Sequence, residues 1–370
     1  MDTSANRRII LLGATGYTGG LVAQELVDQG ARPVLAGRDA GRLQDLATQL
    51  GGLETAVADA GDPDSLQPLM GPGDVVISTV GPFERFGHHV AETAARAGSH
   101  YLDSTGEVGF VQGLVDNLDG TAKASGSTML PAFGFDYVPG LLAGALAARD
   151  AGPEIDTLRI GYFHIGPMNP LVDLSAGTRQ TLLDAGGTRM PMWRNGTSVQ
   201  VRPGSASATF TVAGQRRRAV RLSGTEVVFL PRGVPGLRTV DVYNGWFPAR
   251  PAQALMAASG VTAKLPRVPG ALADKVKGRI VGHGGPDAQR RERQRMGVVA
   301  VALASDGTEL AEVHLEGPNT YTLTGRLLAW GARELAADTF PHGVWSPVEA
   351  FGLQRLSDGA AQLGLTRVDH

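Results

Sequence analysis

The side chains best suited to moving a proton fall in two short stretches. YLDSTGE, residues 101–107, holds Asp103 and Glu107, and GFDYVPG, residues 134–140, holds Asp136 and Tyr137. A carboxyl drawn into an apolar setting keeps its proton to higher pH and then serves as a general acid near neutrality; a phenol is an alternative donor. A third stretch, LLGATGYTGG at residues 11–20, spaces glycines at 13, 16 and 19 directly after the apolar run Ile9–Leu12. Glycines so placed let the backbone approach a pyrophosphate, while the N–H groups of a helix start supply positive potential. A proton donor beside a dinucleotide suits hydride transfer. Each carboxylate also has a plainer reading: Asp103 braces its own loop, and Asp136 orients the turn before Pro139.

Placing these groups requires a scaffold. The first 135 residues alternate short apolar strands with helical segments, the pattern of a parallel sheet covered on both faces, a doubly wound α/β unit. Strands are expected at 8–12, 33–36, 54–58, 75–79, 100–102 and 128–131, and helices at 19–29, 40–50, 63–70, 88–97 and 111–124. From about Ile155 the strands become longer and alternate in polarity, at 158–164, 198–201, 208–212, 219–222, 239–243 and 298–303, which predicts a largely antiparallel second sheet. Asp306-Gly307 is a turn dipeptide, so 298–303 and 310–315 form a hairpin. Helices are expected at 177–185, 251–258, 272–280, 322–337 and within 347–365. Asp103, Glu107, Asp136 and Tyr137 then follow the fifth and sixth strands, at the carboxyl edge where such sheets bind ligands.

The cofactor is read from two places. The turn and first helical residues, Gly13, Thr15, Gly16, Tyr17, Thr18 and Gly19, would cradle the pyrophosphate. At the end of the second strand, VLAGRDAGR at 34–42 has Ala36 and Gly37 where an acid would select a free ribose hydroxyl, with Arg38 immediately after. That pattern predicts NADP(H), with Arg38 on the 2′-phosphate and Arg42 in support. Asp39 is expected to cap the next helix. Asp59 could meet the adenine edge or cap a turn, and Thr79, Val80, Gly81 and Pro82 in STVGPF would line the nicotinamide side.

Composition narrows the alternatives. At 370 residues, 42% hydrophobic and 19% charged, the chain can build two cored domains, and its net charge of −2 gives no general attraction to nucleic acid or anionic membrane. The expected partner is a small-molecule substrate, free or carrier-bound, and a homodimer is compatible with the length. Absence of cysteine excludes thiolate nucleophiles and thiolate zinc sites, and no H-x-x-x-H pair is present, so no metal is expected. Met1–Asn6 lacks a signal core, which predicts a cytoplasmic protein. The apolar run 130–148 contains Pro131, Asp136 and Pro139, so it reads as a strand end, a turn and a buried helix. Arg216–Arg218 and Arg290, Arg291, Arg293 and Arg295 read as a solvated loop or strand entrance, with a contact for an anionic partner, such as a phosphopantetheine-bearing carrier protein or a CoA phosphate, as the functional alternative. None of the tyrosines has a lysine four residues on, which removes the Tyr-x-x-x-Lys mechanism of short-chain dehydrogenases. Tyr162 and His164 are further candidate donors from the second domain, and His88 and His89 more plainly begin a helix.

Taken together, GATGYTG, AGR at the second strand end, STVGPF followed by HHVAETAARAG, YLDSTGE and GFDYVPGLLA resemble the saccharopine dehydrogenase-like reductases. They are most similar to the branch containing trans-acting enoyl reductases that work beside polyketide synthases. GVWSPVEAFG at 343–352 is similar to the family's closing segment, and SAGT at 175–178 is the familiar part of the middle. The resemblance implies a Rossmann domain over 1–135, joined by about 338–370, and an α+β substrate or dimerisation domain over 136–337. It implies NADPH-dependent reduction of an electron-poor C=C bond in secondary metabolism. An imine reductase of saccharopine type and a non-catalytic NADP(H)-binding regulator remain the alternatives.

Overall fold

The computed structural model describes residues 7–166, 169, 173–179, 189–246 and 284–369. The expected helices at 251–258 and 272–280, and most of 177–185, lie outside them. Contacts divide the chain into two units, Met1–Val138 with Thr320–Leu363, and Pro139–Asn319 with Gly364–His370.

In the first unit, apolar tetrads without polar alternation form strands buried on both faces: β1 (Ile9–Leu12), β2 (Val34–Gly37) and β4 (Val75–Ser78), with β3 (Thr55–Val57) at the edge. β5 (His100–Asp103) and β6 (Thr128–Leu130) follow, and the short strand Gly343–Val344 returns to pair with β6. The seven strands are all parallel, in the order Gly343–Val344, β6, β5, β4, β1, β2, β3. After β1 the chain winds one way through β2 and β3 and then crosses to β4 on the other side of β1. The loop after β1 therefore sits at the topological switch point. Helices α1 (Tyr17–Asp28), α2 (Ala40–Gln49), α3 (Pro63–Leu66), α4 (Phe83–Ala97) and α5 (Val108–Ser125) make the crossovers.

The helix Thr320–Ala337 belongs to this unit, packing on α1, β1, β4 and β5. The sequence division had left it with the second domain. Two glycines explain the fit: a Cβ on Gly325 would touch Leu21 at 3.4 Å, and one on Gly331 would lie 2.5 Å from Phe133. Small residues let the helix approach where side chains would hold it off. Tyr17 and Tyr321 meet edge to face across the same seam.

In the second unit, α6 (Val138–Ala151) begins where the apolar run predicts a helix. The sheet contains β7 (Thr157–Ile165), β8 (Met190–Arg194), β9 (Thr197–Val201), β10 (Ser207–Val212), β11 (Gln215–Leu222), β12 (Thr239–Asn244), β13 (Arg295–Leu303), β14 (Glu309–Pro318) and the terminal strand Thr366–Val368. Pairing among the described residues is antiparallel apart from β7 with β12. Phe163, Phe210, Val212, Ala219, Tyr243 and Val299 form an apolar cluster on one face. The 366–368 strand pairs with β14, so the last residues of the expected returning segment join this sheet instead. Among the described residues no helix is long and apolar enough to cross a membrane.

Candidate functional site

The glycine turn is built so that side chains are excluded. Gly13 adopts φ +85°, and a Cβ there would lie 2.7 Å from Thr79 Oγ1 and 2.8 Å from Val80 Cγ2. At Gly19 a Cβ would fall 2.1 Å from the Gly13 carbonyl oxygen. The amides of Gly13 and Ala14 donate to the Ala36 carbonyl on β2 at 2.9 and 3.2 Å. Thr79 Oγ1 lies 3.1 and 3.2 Å from the Leu12 and Gly13 carbonyls, and the Arg42 guanidinium donates to the Thr15 carbonyl at 2.8 Å. Strands on both sides thus fix the turn. No side chain caps α1 at Gly16, which leaves the helix start to water or to an anion.

Arg38 stands exposed just past β2, and its side chain has no ion pair or hydrogen bond among the described residues. Asp39 accepts the Arg42 amide at 3.0 Å and caps α2. Asp59 folds into its own loop, Oδ1 accepting the Gly61 amide at 2.9 Å. Thr79 and Val80 are half-buried, Gly81 is exposed, and Pro82 is the residue from which α4 starts. These groups fit a dinucleotide: a side-chain-free cradle, an uncapped helix start and an unengaged guanidinium at the end of β2.

The four expected proton-transfer residues come together at the ends of β5 and β6 but divide by role. Glu107 is a brace: Oε1 accepts the Phe83 amide and Oε2 the Glu84 amide, both at 2.9 Å, so it caps α4 from outside that helix. Tyr137 is a brace too, buried and donating its hydroxyl proton to the Gly106 carbonyl at 2.9 Å. Asp103 is fully buried, with Oδ1 accepting the amides of Thr105 at 2.9 Å and Ala132 at 2.8 Å. Burial pushes its carboxyl up to about 6, against those two N–H groups, which pull it down. Asp103 through Oδ1, Glu107 through both oxygens and Tyr137 through its hydroxyl are thus each bonded to backbone.

Asp136 differs. It is largely buried, no protein group hydrogen-bonds its carboxyl among the described residues, and it lies against the backbone of Gly106, where a Cβ would be 3.6 Å from Oδ2. Burial alone pushes it up to about 7. At neutral pH it is therefore divided between acid and base, as a proton-transfer group needs.

The remaining candidates lie elsewhere. His88 and His89 face solvent on α4, His88 beside Glu84 and against Phe110. Tyr162 is buried on β7 and donates to Glu226, so it is not a free phenolic acid. His164 is buried on the same strand, edge-on to Trp246, and burial lowers it to about 4, which keeps it neutral. The 216–218 cluster is a strand entrance at the start of β11, with Arg216 and Arg218 exposed and Arg217 turned inward to the His164 carbonyl and over the Phe163 ring. No cluster of metal-ligating side chains is found among the described residues.

Comparison with known proteins gives the dinucleotide turn its family. Residues 9–130 match the saccharopine dehydrogenase NADP binding domain. Over those residues the first unit is similar to that NADP-binding domain. About a third of the chain is also similar to two proteins named trans-acting enoyl reductase. The one from Mycobacterium leprae is 39% identical over 137 residues, 35% of this chain and 33% of that protein. The one from Mycobacterium ulcerans is 38% identical over 145 residues, 37% and 35% of the two chains. The match thus spans about a third of each relative. Saccharopine dehydrogenase (L-Glu forming) of Saccharomyces cerevisiae has the same fold over 98% of this chain and 99% of its own, with a TM-score of 0.61 at 14% identity.

Two buried hydroxyls escaped the sequence reading: Ser78, in STVGPF, and Tyr101, which opens YLDSTGE. Their signal was proximity to Asp103, which strand register supplies for Ser78 and the two-residue strand period for Tyr101.

Proposed function

We propose that this protein is an NADPH-dependent reductase of an electron-poor C=C bond, acting on an enoyl thioester, with Asp136 as its proton donor. The observation that carries this reading is Asp136 itself, a carboxyl near neutrality without a protein hydrogen bond, at the same sheet edge as the NADP-binding turn. The names of the mycobacterial relatives, matched over about a third of the chain, support an enoyl substrate.

When bound, NADPH supplies the hydride. The chain's residues do the rest. Gly13, Gly16 and Gly19 admit the pyrophosphate to the backbone, and Arg38 meets the 2′-phosphate, a pairing that a guanidinium makes bidentately. Thr79 to Pro82 form the floor on the nicotinamide side. Hydride adds to the carbon β to the thioester carbonyl, and the Asp136 carboxyl gives its proton to the α carbon; solvent then reprotonates the carboxylate. The π bond of C=C is consumed and two C–H bonds form, the two electrons being those that NADPH would supply with its hydride. Positioned general acids of this kind contribute about 10²–10⁴ in rate.

The test is the position of the transferred hydrogen. With NADPH deuterated at its transferable hydrogen and an enoyl thioester, mass spectrometry should find deuterium on the β carbon and a solvent hydrogen on the α carbon. Deuterium on a carbon bonded to nitrogen, obtained only with imine substrates, would replace this reading by imine reduction. NADPH binding without transfer to any enoyl thioester, enone or imine would replace it by a regulatory role.

A further inference from the structure

Three buried polar side chains, Ser78, Tyr101 and Asp103, gather on β4 and β5, with the Tyr101 hydroxyl facing both Ser78 and the Asp103 carboxyl. Ser78 on β4 is the strand partner of Asp103 on β5, and Tyr101 lies two residues before Asp103 on the same face. All three residues are fully buried. A carboxylate in such a place is costly unless its bonds compensate. An apolar side chain would fill the volume more cheaply, so the carboxyl's use must lie in what it holds.

What it holds leads to Asp136. Through one oxygen Asp103 fixes two backbone segments, the 104–107 loop at the Thr105 amide and the 131–138 turn at the Ala132 amide. Its own carbonyl accepts the Phe133 amide at 2.8 Å. Ala132 has φ +56°, a left-handed conformation that a residue with a Cβ adopts only when its neighbours enforce it. The Ala132 carbonyl in turn accepts the Tyr137 amide at 2.9 Å, and the Phe135 amide donates to Thr324 Oγ1 at 3.0 Å. The two segments then close on each other, with the Tyr137 hydroxyl on the Gly106 carbonyl and Asp136 against Gly106. Asp136 thus sits at the meeting point of two segments held at their far ends by one carboxyl.

We propose that Asp103 is a positioning residue that sets the place and solvation of Asp136 through the Thr105 and Ala132 amides. This rests on the reading of Asp136 as proton donor for its catalytic meaning, but not for its test. The titratable groups facing Asp103 are Tyr101 on its own strand and Glu107 on the following loop. No charged group is found acting on Asp136, whose displacement comes from burial alone. A change in Asp136 on altering Asp103 therefore reports geometry.

The experiment titrates isotope-labelled aspartate carboxyls by NMR in the intact protein without substrate, the Asp136 signal being identified by its loss in Asp136→Asn. In the native protein its midpoint should lie at about 7. In Asp103→Asn, where the amide oxygen can still accept both N–H groups, the midpoint should stay within a few tenths of a unit. In Asp103→Ala both segments are released, and the midpoint should fall by at least about one unit toward the ordinary carboxylate range. If Asp103→Ala does not fold, Asp103→Ser takes its place with the same expected displacement. An unmoved midpoint in the alanine or serine variant overturns the proposal, and an equal fall in Asp103→Asn overturns it as well, since charge would then be the cause. Inactivity of the native enzyme toward enoyl thioesters would leave this result standing and fail only the reading of function.

Discussion

Arg38 and the turn glycines are the residues proposed to hold NADPH, and each gives a separate prediction. Arg38→Ala should weaken NADPH by more than about tenfold and NADH by less than about twofold, because a charge-assisted phosphate contact is worth about 1.5–3 kcal/mol and only NADPH makes it. Fluorescence titration of the two nucleotides checks this, and equal losses would remove the phosphate role. Gly19→Ala should abolish binding of both, since its Cβ would meet backbone at 2.1 Å and no side-chain movement relieves that. The placement of both was legible in the sequence because it is local: a turn between strand and helix, and the end of the next strand. The proton-transfer residues were legible only as a group. Nothing in YLDSTGE says that Glu107 reaches to the start of α4 while Asp103 reaches the 131–138 turn; those partners are 24 and 29 residues away.

The same long reach explains where elements departed from expectation. The helix expected from His88 begins at Phe83, directly after Pro82, although no Ser, Thr, Asp or Asn stands at its start. Glu107 supplies the missing cap from the loop after β5. Glu107→Ala should therefore destabilise the first unit by about 1–2 kcal/mol, as loss of a cap does, in thermal or urea unfolding. β8 and the helix Glu226–Gly233 were missed because Pro191 and Pro231 interrupt their patterns, and in the fold β8 meets β12 at a single residue pair while the proline of the helix sits near its end. The hairpin of β13 and β14 was expected because its turn is encoded by Asp306-Gly307 itself. The helix Thr320–Ala337 was expected too, but its place against α1 and β1 was not, because close approach at Gly325 and Gly331 leaves no hydrophobic signal. Gly331→Ala should cost about 1–3 kcal/mol by overpacking against Phe133.

At the scale of the whole molecule, four buried groups make stability depend on pH in opposite senses. Asp103 and Asp136 are raised to about 6 and about 7, so the folded state holds protons that the unfolded chain has released, and their contribution falls as pH rises from about 4 to about 7. His100, whose Nδ1 accepts the Thr128 amide at 3.0 Å, and His164 are both lowered to about 4. Below the unfolded value near 6.5 they favour the unfolded chain, so their contribution rises with pH from about 4 to about 6.5. The two slopes oppose each other. Asp136→Asn removes one falling contribution, so its melting temperature relative to the native protein should climb as pH goes from about 4 to about 7; a difference independent of pH would mean that Asp136 has an ordinary carboxyl. The division into a dinucleotide unit and a largely antiparallel unit was visible as a change from alternating strand and helix to successive strands, since each sheet type writes its own period. What the second unit binds left no comparable trace in its sequence.

The central claim is that Asp136 gives the proton that completes reduction by NADPH. Its most direct test is the rate of NADPH oxidation with enoyl thioesters as a function of pH, for the native protein and for Asp136→Asn. The native rate should fall as pH rises through about 7, as the donor loses its proton. Asp136→Asn should bind NADPH with unchanged affinity and turn over at least about a hundredfold more slowly at neutral pH, without that limb. Turnover by Asp136→Asn at the native rate and with the native pH profile would contradict the claim.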